Sequence, residues 1–332
     1  MKRITTVILA VSILILLTGC FAVGEARRNA RETFGILEVD FKGQVIRDLS
    51  YGERERNVYD LYLPEDTADE KARHLILFIH GGSWTSGSKA DGEIFCRNFS
   101  DHGYTSASIS YTLQEKGVDP KPTILSINEE VKAAVGAIKA KCSELGIDLV
   151  DMAVSGFSAG ACQALMYGFR EATSSALPVK FILQQSGPTS FDPSIWHTSA
   201  VNWLVRRQAG LDGSREGDAS WISMFSGKTV TADMVGTPEA DAIWQEISPY
   251  TYITADSVPV LSAYGVYDSV VPPVSRTILE NALDAAGKVK GQVGSNGYVT
   301  VVLDHSGHLL VSDVGSQRLY LQKVYEFCDA FF

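Results

Sequence analysis

Sequence signatures of metal and nucleotide sites are missing from this chain of 332 residues. It contains no C-x-x-C or H-E-x-x-H motif, no cluster of carboxylates at metal-binding spacing, and no P-loop. These patterns place thiolates, imidazoles or backbone amides where an ion or a phosphate can bind. We therefore expect neither a metal ion nor an organic cofactor. Any catalysis would be performed by the protein's own side chains and backbone.

Positive charge is also in deficit. The chain has 29 Lys and Arg against 39 Asp and Glu, a formal net charge of −10. Nucleic acids and anionic lipid surfaces attract proteins through basic patches. We therefore expect no nucleic-acid partner and no broad electrostatic binding to membranes. The mixed charges of residues 53–56 are interpreted as a solvated face of a hairpin.

Cysteine is scarce, with five residues in the chain. Apart from Cys20, which is discussed below, these are Cys96, Cys142, Cys162 and Cys328. Four cysteines allow three disulfide pairings, but the wide spacing does not form a dense disulfide framework. We favour free thiols.

A long hydrophobic run occurs at the N-terminus. Lys2 and Arg3 precede a largely apolar segment, residues 4–17, which is shorter than the roughly 20 residues of a membrane span and typical of a signal peptide. The segment closes with L-T-G-C at residues 17–20, which resembles the bacterial lipobox. The resemblance implies a signal peptide at 1–19, lipidation of Cys20, a tether over 20–36, and a membrane-anchored position outside the cytoplasm. An uncleaved anchor and plain secretion are the alternatives.

The motif G-F-S-A-G at residues 156–160 is the main chemical signal. An apolar segment at 149–154 predicts a buried strand before it, and small and apolar residues at 161–166 predict a helix after it. A serine on a sharp strand-to-helix turn needs flanking glycines, because neighbouring backbone passes close to it. The pattern predicts that Ser158 is a nucleophile at a helix N-terminus, with a glycine-rich structural turn as the alternative.

A second motif lies upstream. The apolar run at 74–79 predicts a strand buried on both faces, and it ends in H-G-G-S-W at residues 80–84. Glycines after a central strand leave backbone amides free to stabilise a developing oxyanion. We assign this role to the amides of Gly82, Ser83 and Ala159, and we expect Trp84 to lie at the mouth of a substrate pocket.

These motifs resemble the α/β-hydrolase fold, and in particular its HGG-type esterase and lipase branch. The similarity extends to Y-G at residues 51–52, to N-V-Y-D-L-Y-L-P at 57–64, and to Tyr111. Alternating predicted strands and helices indicate an α/β fold with a mostly parallel central sheet and helices on both faces. The resemblance implies a hydrolase domain over 37–332, and the triad order serine, acid, histidine.

The acid is expected after the strand predicted near residues 258–264. Asp268 follows the end of that strand and precedes a proline-marked turn, which matches the acid position of the family. Its role would be to orient the imidazole and stabilise its charged form. A turn-capping function of Asp268 is the alternative, and Asp304 and Asp313 are weaker candidates because neither follows the right strand.

Two histidines compete for the base. Both follow the alternating, β-branched segment at 298–303, which predicts the last strand. The family commonly places its base in a Gly-His pair here, which favours His308 over His305. The other histidines, at positions 74, 102 and 197, are interpreted as surface or packing residues, and His80 belongs to the upstream motif.

Residues 189–257 are more than the sheet requires. They contain Trp196, Trp203, Trp221 and Trp244, four of the five tryptophans of the chain. In the resembled fold, an insertion after the sixth strand forms a cap over the active site. These aromatic residues would line a substrate pocket or form the core of the cap, and for any single tryptophan we favour the core.

Three functions are compatible with these features. The leading hypothesis is a lipoprotein carboxylesterase that cleaves short-acyl or aryl esters, including substituents on polysaccharides, through Ser158, His308 and Asp268. An amidase, formamidase or peptidase with the same triad is the second. A non-catalytic binding lipoprotein is the third, and an intact triad argues against it.

Overall fold

The computed structural model describes residues 31–32, 35–115, 117–197 and 210–332, so the predicted signal peptide, Cys20 and Trp203 lie outside the described residues. Its strands are β1 (Gln44–Ser50), β2 (Val58–Leu63), β3 (His74–Ile79), β4 (Thr105–Ile109), β5 (Asp151–Phe157), β6 (Val179–Gln185), β7 (Val260–Gly265), β8 (Val289–Lys290) and β9 (Gly297–Leu303). Its α-helices are α1 (Glu93–Asp101), α2 (Ile124–Glu144), α3 (Ala159–Arg170), α4 (Pro193–His197), α5 (Arg215–Ser226), α6 (Pro238–Glu246), α7 (Val274–Ala285) and α8 (Val314–Phe331). Short 3₁₀ helices occupy Glu70–Arg73, Lys89–Gly92 and Pro249–Tyr252.

The strands form one twisted sheet in the order β1-β2-β4-β3-β5-β6-β7-β9-β8. The first hairpin, β1 with β2, is antiparallel, and β2 is also antiparallel to β4. The remaining pairs are parallel. The predicted mostly parallel sheet is therefore confirmed. The carboxyl ends of its parallel strands, where ligands bind in such sheets, lie along one edge.

Both faces of the sheet are covered, as the continuous apolar sequence of β3 requires. Leu75, Leu77 and Ile79 point to one face, where they belong to the same core as the buried residues of α2, α3 and α7. Ile76 points to the other face and packs in the core that contains Phe327 of α8. Alternate residues of a strand leave opposite faces of a sheet, so only an uninterrupted apolar run can serve two layers.

Helix α2 shows how local sequence supports this packing. Its N-terminus is a capping box, in which the Ser126 amide donates to the Thr123 hydroxyl (3.1 Å) and the Thr123 amide donates to the Ser126 hydroxyl (2.7 Å). These bonds satisfy backbone groups that the first turn leaves unpaired. The one-sided apolar stripe of the helix, which includes Ile127, Val131 and Ile138, is fully buried against the sheet.

Strand β5 begins two residues later than its sequence suggested. The Val150 amide bonds the Arg73 carbonyl, outside the ladder, and Val150 is 39% exposed. Pairing with β3 starts only at Asp151, opposite His74, and continues to Gly156. Of the two apolar residues before the strand, Leu149 is buried in the loop and Val150 is exposed, and the strand instead extends to Phe157.

The segment between β6 and β7 carries α4, α5, α6 and the 3₁₀ turn at Pro249–Tyr252. Within the described ranges, no helix has both the length and the apolar character that crossing a membrane requires. The four cysteines at 96, 142, 162 and 328 are buried and free, as favoured from the sequence. Burial raises the pKa of Cys162, directly behind the elbow, well above its ordinary value, so this thiol is a packing residue.

Candidate active site

Ser158 lies in a sharp turn between β5 and α3. Its backbone has φ 55° and ψ −121°, in a region that side-chain-bearing residues rarely adopt. A Cβ on Gly156 would meet the Gly160 carbonyl carbon and oxygen at 2.4 Å, and one on Gly160 would meet the Ile79 carbonyl oxygen at 2.0 Å. The two glycines of the motif are therefore required by close backbone contacts, and the turn presents the Ser158 hydroxyl beyond the sheet edge.

A continuous chain of hydrogen bonds starts at this hydroxyl. His308 Nε2 lies 2.9 Å from Ser158 Oγ, and His308 Nδ1 lies 2.8 Å from Asp268 Oδ2. A carboxylate only accepts, so Nδ1 carries the proton and the Nε2 lone pair faces the serine hydroxyl. The side chains of His308 and Asp268 are 8% and 2% exposed, so bulk water competes little with either bond.

Backbone amides fix the carboxylate in turn. Asp268 Oδ1 accepts from the amides of Val270 (2.8 Å) and Val271 (2.9 Å), which leaves Oδ2 for the imidazole. The aromatic ring of Phe157 packs against the His308 imidazole, with the two ring centroids 5.2 Å apart. The acid, the imidazole and the serine are thus held in one geometry by contacts from three separate loops.

The competing residues lie elsewhere. The side chain of His305 is 81% exposed, and its Nδ1 is 3.9 Å from Asp313. Asp313 caps helix α8 by accepting from the Ser316 amide (3.2 Å), and Asp304 is exposed. Of the candidates, the structure brings only His308 and Asp268 to Ser158.

The segment after β3 supplies backbone donors. Gly82, Ser83 and Trp84 all have positive φ, of 109°, 52° and 60°. Among the described residues, nothing accepts a hydrogen bond from the amides of Gly82, Ser83 or Ala159. Ser83 and Ala159 line a cavity together with Ser158, whereas Gly82 lies outside that lining. Strained backbone with unpaired amides is the arrangement that an oxyanion site requires.

His80, which directly precedes this segment, is held by contacts of its ring. It is fully buried, its Nδ1–H donates to the Gly81 carbonyl (2.6 Å), and its ring stacks on Tyr111 with centroids 4.1 Å apart. Burial lowers the pKa of His80 to about 4, the Gly81 bond opposes this, and the charge of Arg56 adds to it. His80 is therefore neutral at pH 7 and cannot act there as a cation.

Arg56 is a residue of the site region that sequence reasoning missed. It donates through Nε to the Tyr111 carbonyl (2.9 Å) and through Nη2 to the Gly87 carbonyl (2.7 Å). These bonds join the first hairpin to Tyr111, which follows β4, and to Gly87, which follows the segment that contains the unpaired amides. The interpretation of residues 53–56 as a solvated face is wrong for Arg56, because mixed charge in sequence does not reveal a carbonyl pair 31 and 55 residues away.

A cavity of about 440 Å³ opens beside Ser158. Trp84 is 4% exposed and packs against Phe225 and Phe191, so it forms part of the buried wall instead of the expected mouth. The described insertion tryptophans at 196 and 221 are both core residues and cavity walls, whereas Trp244 bonds Asp241 and does not line the cavity. The cavity is lined by Ser83, Trp84, Thr85, Gln114, Glu115, Lys121, Ser158, Ala159, Pro188, Trp196, Trp221, Met224, Phe225, Val270 and Val271.

Gln114 connects three parts of this wall. Its backbone N–H donates to the Trp84 carbonyl (2.8 Å), and its side-chain Nε2 donates to the carbonyls of Pro122 (2.9 Å) and Met224 (3.2 Å). Met224 belongs to helix α5 of the insertion. Gln114 therefore links the insertion to the segment that follows β3, through its side chain on one side and its backbone amide on the other. In the part of the chain that is described, no group of three His, Cys, Asp or Glu residues could hold a metal ion.

The parallel sheet with helices on both faces, the serine elbow at the end of β5 and the donor segment after β3 define an α/β hydrolase. The family model described as BD-FAE matches residues 59–283, which is more than half of the chain. The chain belongs to the BD-FAE family, a family of α/β-hydrolase esterases.

Similar proteins fall in the same class. The chain is 32% identical over 124 residues to the "Probable isoprenylcysteine alpha-carbonyl methylesterase ICME" of Oryza sativa subsp. japonica, which is 36% of this chain and 28% of that protein. It is 28% identical over 121 residues to isoprenylcysteine alpha-carbonyl methylesterase ICME of Arabidopsis thaliana, 36% of this chain and 27% of that protein. The chain thus spans less than a third of the length of these curated relatives.

Solved structures share the fold. Esterase B of Lactobacillus rhamnosis (HN001) superposes with a TM-score of 0.65 at 15% identity, over 96% of each chain. The propionate-bound esterase Est2 of Thermogutta terrifontis gives a TM-score of 0.59 at 19% identity, over 87% of this chain and 94% of that one. At these identities, the likeness establishes the common fold.

Proposed function

We propose that this protein is a serine carboxylesterase in which Ser158 is the nucleophile, His308 the general base and Asp268 the residue that orients the imidazole. The observation that carries this proposal is the unbroken hydrogen-bond chain from Ser158 Oγ to Asp268 Oδ2. A hydroxyl within hydrogen-bond reach of an imidazole, which a carboxylate orients in turn, is the arrangement that activates a serine.

The reaction follows from this geometry. His308 Nε2 takes the hydroxyl proton as Ser158 Oγ attacks the ester carbonyl, and the amides of Ser83 and Ala159, with Gly82 as the third candidate, stabilise the oxyanion. The imidazolium then gives its proton to the departing alkoxide, which leaves an acyl-enzyme. Water, deprotonated by the same imidazole, attacks the acyl carbon and releases the carboxylic acid, and Ser158 regains its proton.

The cavity supports short-acyl or aryl esters as the substrate class. Its volume of about 440 Å³ lies within the ordinary range for a small-molecule site, and its aromatic walls favour apolar or planar groups. The propionate-bound esterase Est2 of Thermogutta terrifontis, which shares the fold, is consistent with a short acyl group.

An activity-based probe tests the proposal. A fluorophosphonate should label the wild type and leave Ser158→Ala unlabelled, because phosphonylation needs an activated serine at the elbow. Turnover of p-nitrophenyl acetate, butyrate and longer esters, compared with the matching p-nitroanilides, separates an esterase from an amidase. A wild type that resists the probe, or a Ser158→Ala variant that is labelled equally, refutes a serine hydrolase.

We also propose that Cys20 carries the lipid of a bacterial lipoprotein, so that the enzyme acts outside the cytoplasm on a tether. Support comes from the basic residues 2–3, the apolar segment and the L-T-G-C sequence. In a bacterial host, the wild type should incorporate an alkyne-tagged fatty acid and sediment with membranes, whereas Cys20→Ser should do neither. Equal labelling of both proteins would exclude Cys20 as the acceptor.

A further inference from the structure

Ser186 stands directly after β6 in a conformation that costs free energy. Its φ is 53°, in the left-handed region where a glycine would be accommodated with less strain. The residue is fully buried, and its amide donates to the Ala263 carbonyl of β7 (2.9 Å). A strained residue that carries a polar side chain in the core indicates that the side chain makes a compensating contact.

That contact is with the base. The Ser186 hydroxyl donates to the backbone carbonyl of His308 at 2.9 Å. The preceding residue holds the nucleophile, since the Gln185 carbonyl accepts from the Ser158 amide at 2.8 Å. The last residue of β6 and the residue directly after it therefore fix the backbone of Ser158 and the backbone of His308 relative to each other.

The base needs such a tie because its loop lacks regular structure. His308 lies between β9 and α8, in a loop held at Ser306 by the Tyr267 amide (3.0 Å) and at Leu310 by Gln317 Nε2 (2.8 Å). The Ser186 hydroxyl acts between these two points, on the carbonyl of His308 itself. An imidazole displaced by about 1 Å no longer aligns with the serine hydroxyl, which costs catalysis on the order of 100-fold.

We propose that Ser186 is a positioning residue for the reaction, which holds His308 within hydrogen-bond distance of Ser158. This inference rests on the proposed serine-esterase function, because it assigns Ser186 a task only if His308 is the base. The positioning role does not require Ser186 to contact substrate, since Ser186 acts through the backbone of His308.

The test compares Ser186→Ala and Ser186→Gly with Ser100→Ala. Ser100 is a matched control, because it is also a buried serine whose hydroxyl donates to a backbone carbonyl, that of Tyr62 at 3.0 Å. Ester turnover should show kcat lowered about 10- to 100-fold in both Ser186 variants with KM nearly unchanged, and nearly normal kcat in Ser100→Ala. The glycine variant removes the strain together with the hydroxyl, so an equal loss of kcat in both variants assigns the effect to the hydroxyl.

A proton NMR readout keeps this inference separate from the activity itself. The His308 Nδ1–H resonance, assigned through its loss in His308→Ala, reports the bond to Asp268 without any substrate. It should shift in Ser186→Ala and stay in place in Ser100→Ala. Unchanged kcat and an unchanged resonance in Ser186→Ala, or an equal loss of kcat in Ser100→Ala, would overturn the positioning role. Failure of probe labelling in the wild type would instead refute the proposed function.

Discussion

The phenol ring of Tyr111 lies parallel to the imidazole of His80, with an interplanar angle of 6°, and its hydroxyl donates to the His80 carbonyl at 3.1 Å. These two residues follow neighbouring parallel strands, β4 and β3. Both residues are fully buried, and His80 directly precedes the donor segment at residues 81–84. The stacked Tyr111 ring covers one face of the His80 imidazole, which is shielded from water.

The buried imidazole predicts a loss of stability in mild acid. Burial lowers the pKa of His80 from 6.5 to about 4, so between these values the unfolded chain binds a proton that the folded protein does not. The free energy of unfolding is therefore highest above pH 6.5 and falls as the pH drops, by about 2 kcal/mol at pH 5 from this group. Urea unfolding of the wild type and His80→Asn at pH 7.5 and pH 5 measures the difference.

Asparagine suits this comparison because it does not titrate and can still donate to the Gly81 carbonyl. His102→Asn is the control, since His102 is exposed. We expect His102→Asn to retain the pH dependence of the wild type and His80→Asn to lose about 2 kcal/mol of it. Identical pH dependence in the wild type and His80→Asn would show that His80 is not the responsible group.

Arg56→Met should weaken the donor segment without removing any group that touches substrate. The variant loses the bonds to the carbonyls of Tyr111 and Gly87, which are worth about 1–2 kcal/mol of stability, and we expect kcat to fall about tenfold. The measurements are thermal unfolding and p-nitrophenyl butyrate kinetics. Arg54→Met is the control, because Arg54 is exposed and lies on the same hairpin turn. Equal kinetics in the two variants would argue against a role of Arg56 in the site.

His308→Ala should abolish turnover, with kcat lowered by about 10³-fold or more, because no other imidazole can take the Ser158 proton. His305→Ala should retain nearly all activity, since that side chain is 81% exposed and directed to Asp313. The kcat of both variants in steady-state hydrolysis of p-nitrophenyl acetate distinguishes the two candidates for the base. The assignment of the base is wrong if the two variants show the reverse pattern.

Asp268→Asn should keep the fold and lower kcat by several orders of magnitude, on the order of 10⁴ by analogy with the same change in a serine protease. The amide would turn an NH₂ group or a neutral oxygen toward His308 Nδ1, which removes the fixed tautomer. Asp304→Asn and Asp313→Asn serve as controls, because these two aspartates follow the last strand, β9, and were the weaker candidates for the acid. A drop of only a few-fold in Asp268→Asn would point to another acid.

Gln114→Ala should separate binding from chemistry. Its side chain bonds the carbonyls of Pro122 and Met224, so its removal loosens helix α5 over the cavity at about 1 kcal/mol per bond. We expect KM for p-nitrophenyl butyrate to rise about threefold to tenfold while kcat changes little. Gln322→Ala provides the control, because Gln322 is an exposed glutamine of helix α8 whose side chain bonds only Glu326 of that helix among the contacts described. A lowered kcat with unchanged KM would contradict a role in shaping the cavity.

Local sequence was sufficient for much of this molecule. The elbow at Ser158 and the strand before H-G-G were predictable, because glycine spacing and an uninterrupted apolar run each express constraints within a few residues. The mostly parallel sheet followed from the alternation of such segments. The predicted start of β5 is two residues too early. Residues 149 and 150 are apolar like the strand, but the Val150 amide bonds the Arg73 carbonyl and pairing with β3 begins only at Asp151.

The sequence by itself determined which residue types were available: one elbow serine, two histidines after the last strand, and an aspartate after β7. Only the tertiary structure decided which of them meet, because Ser158 and His308 are 150 residues apart and no local pattern records a bond of that range. The same reason hid Ser186, which is 122 residues from the carbonyl that it bonds. Arg56 and Gln114 likewise bind backbone carbonyls of distant segments, and a carbonyl is common to every residue. Only the folded chain selects one of them.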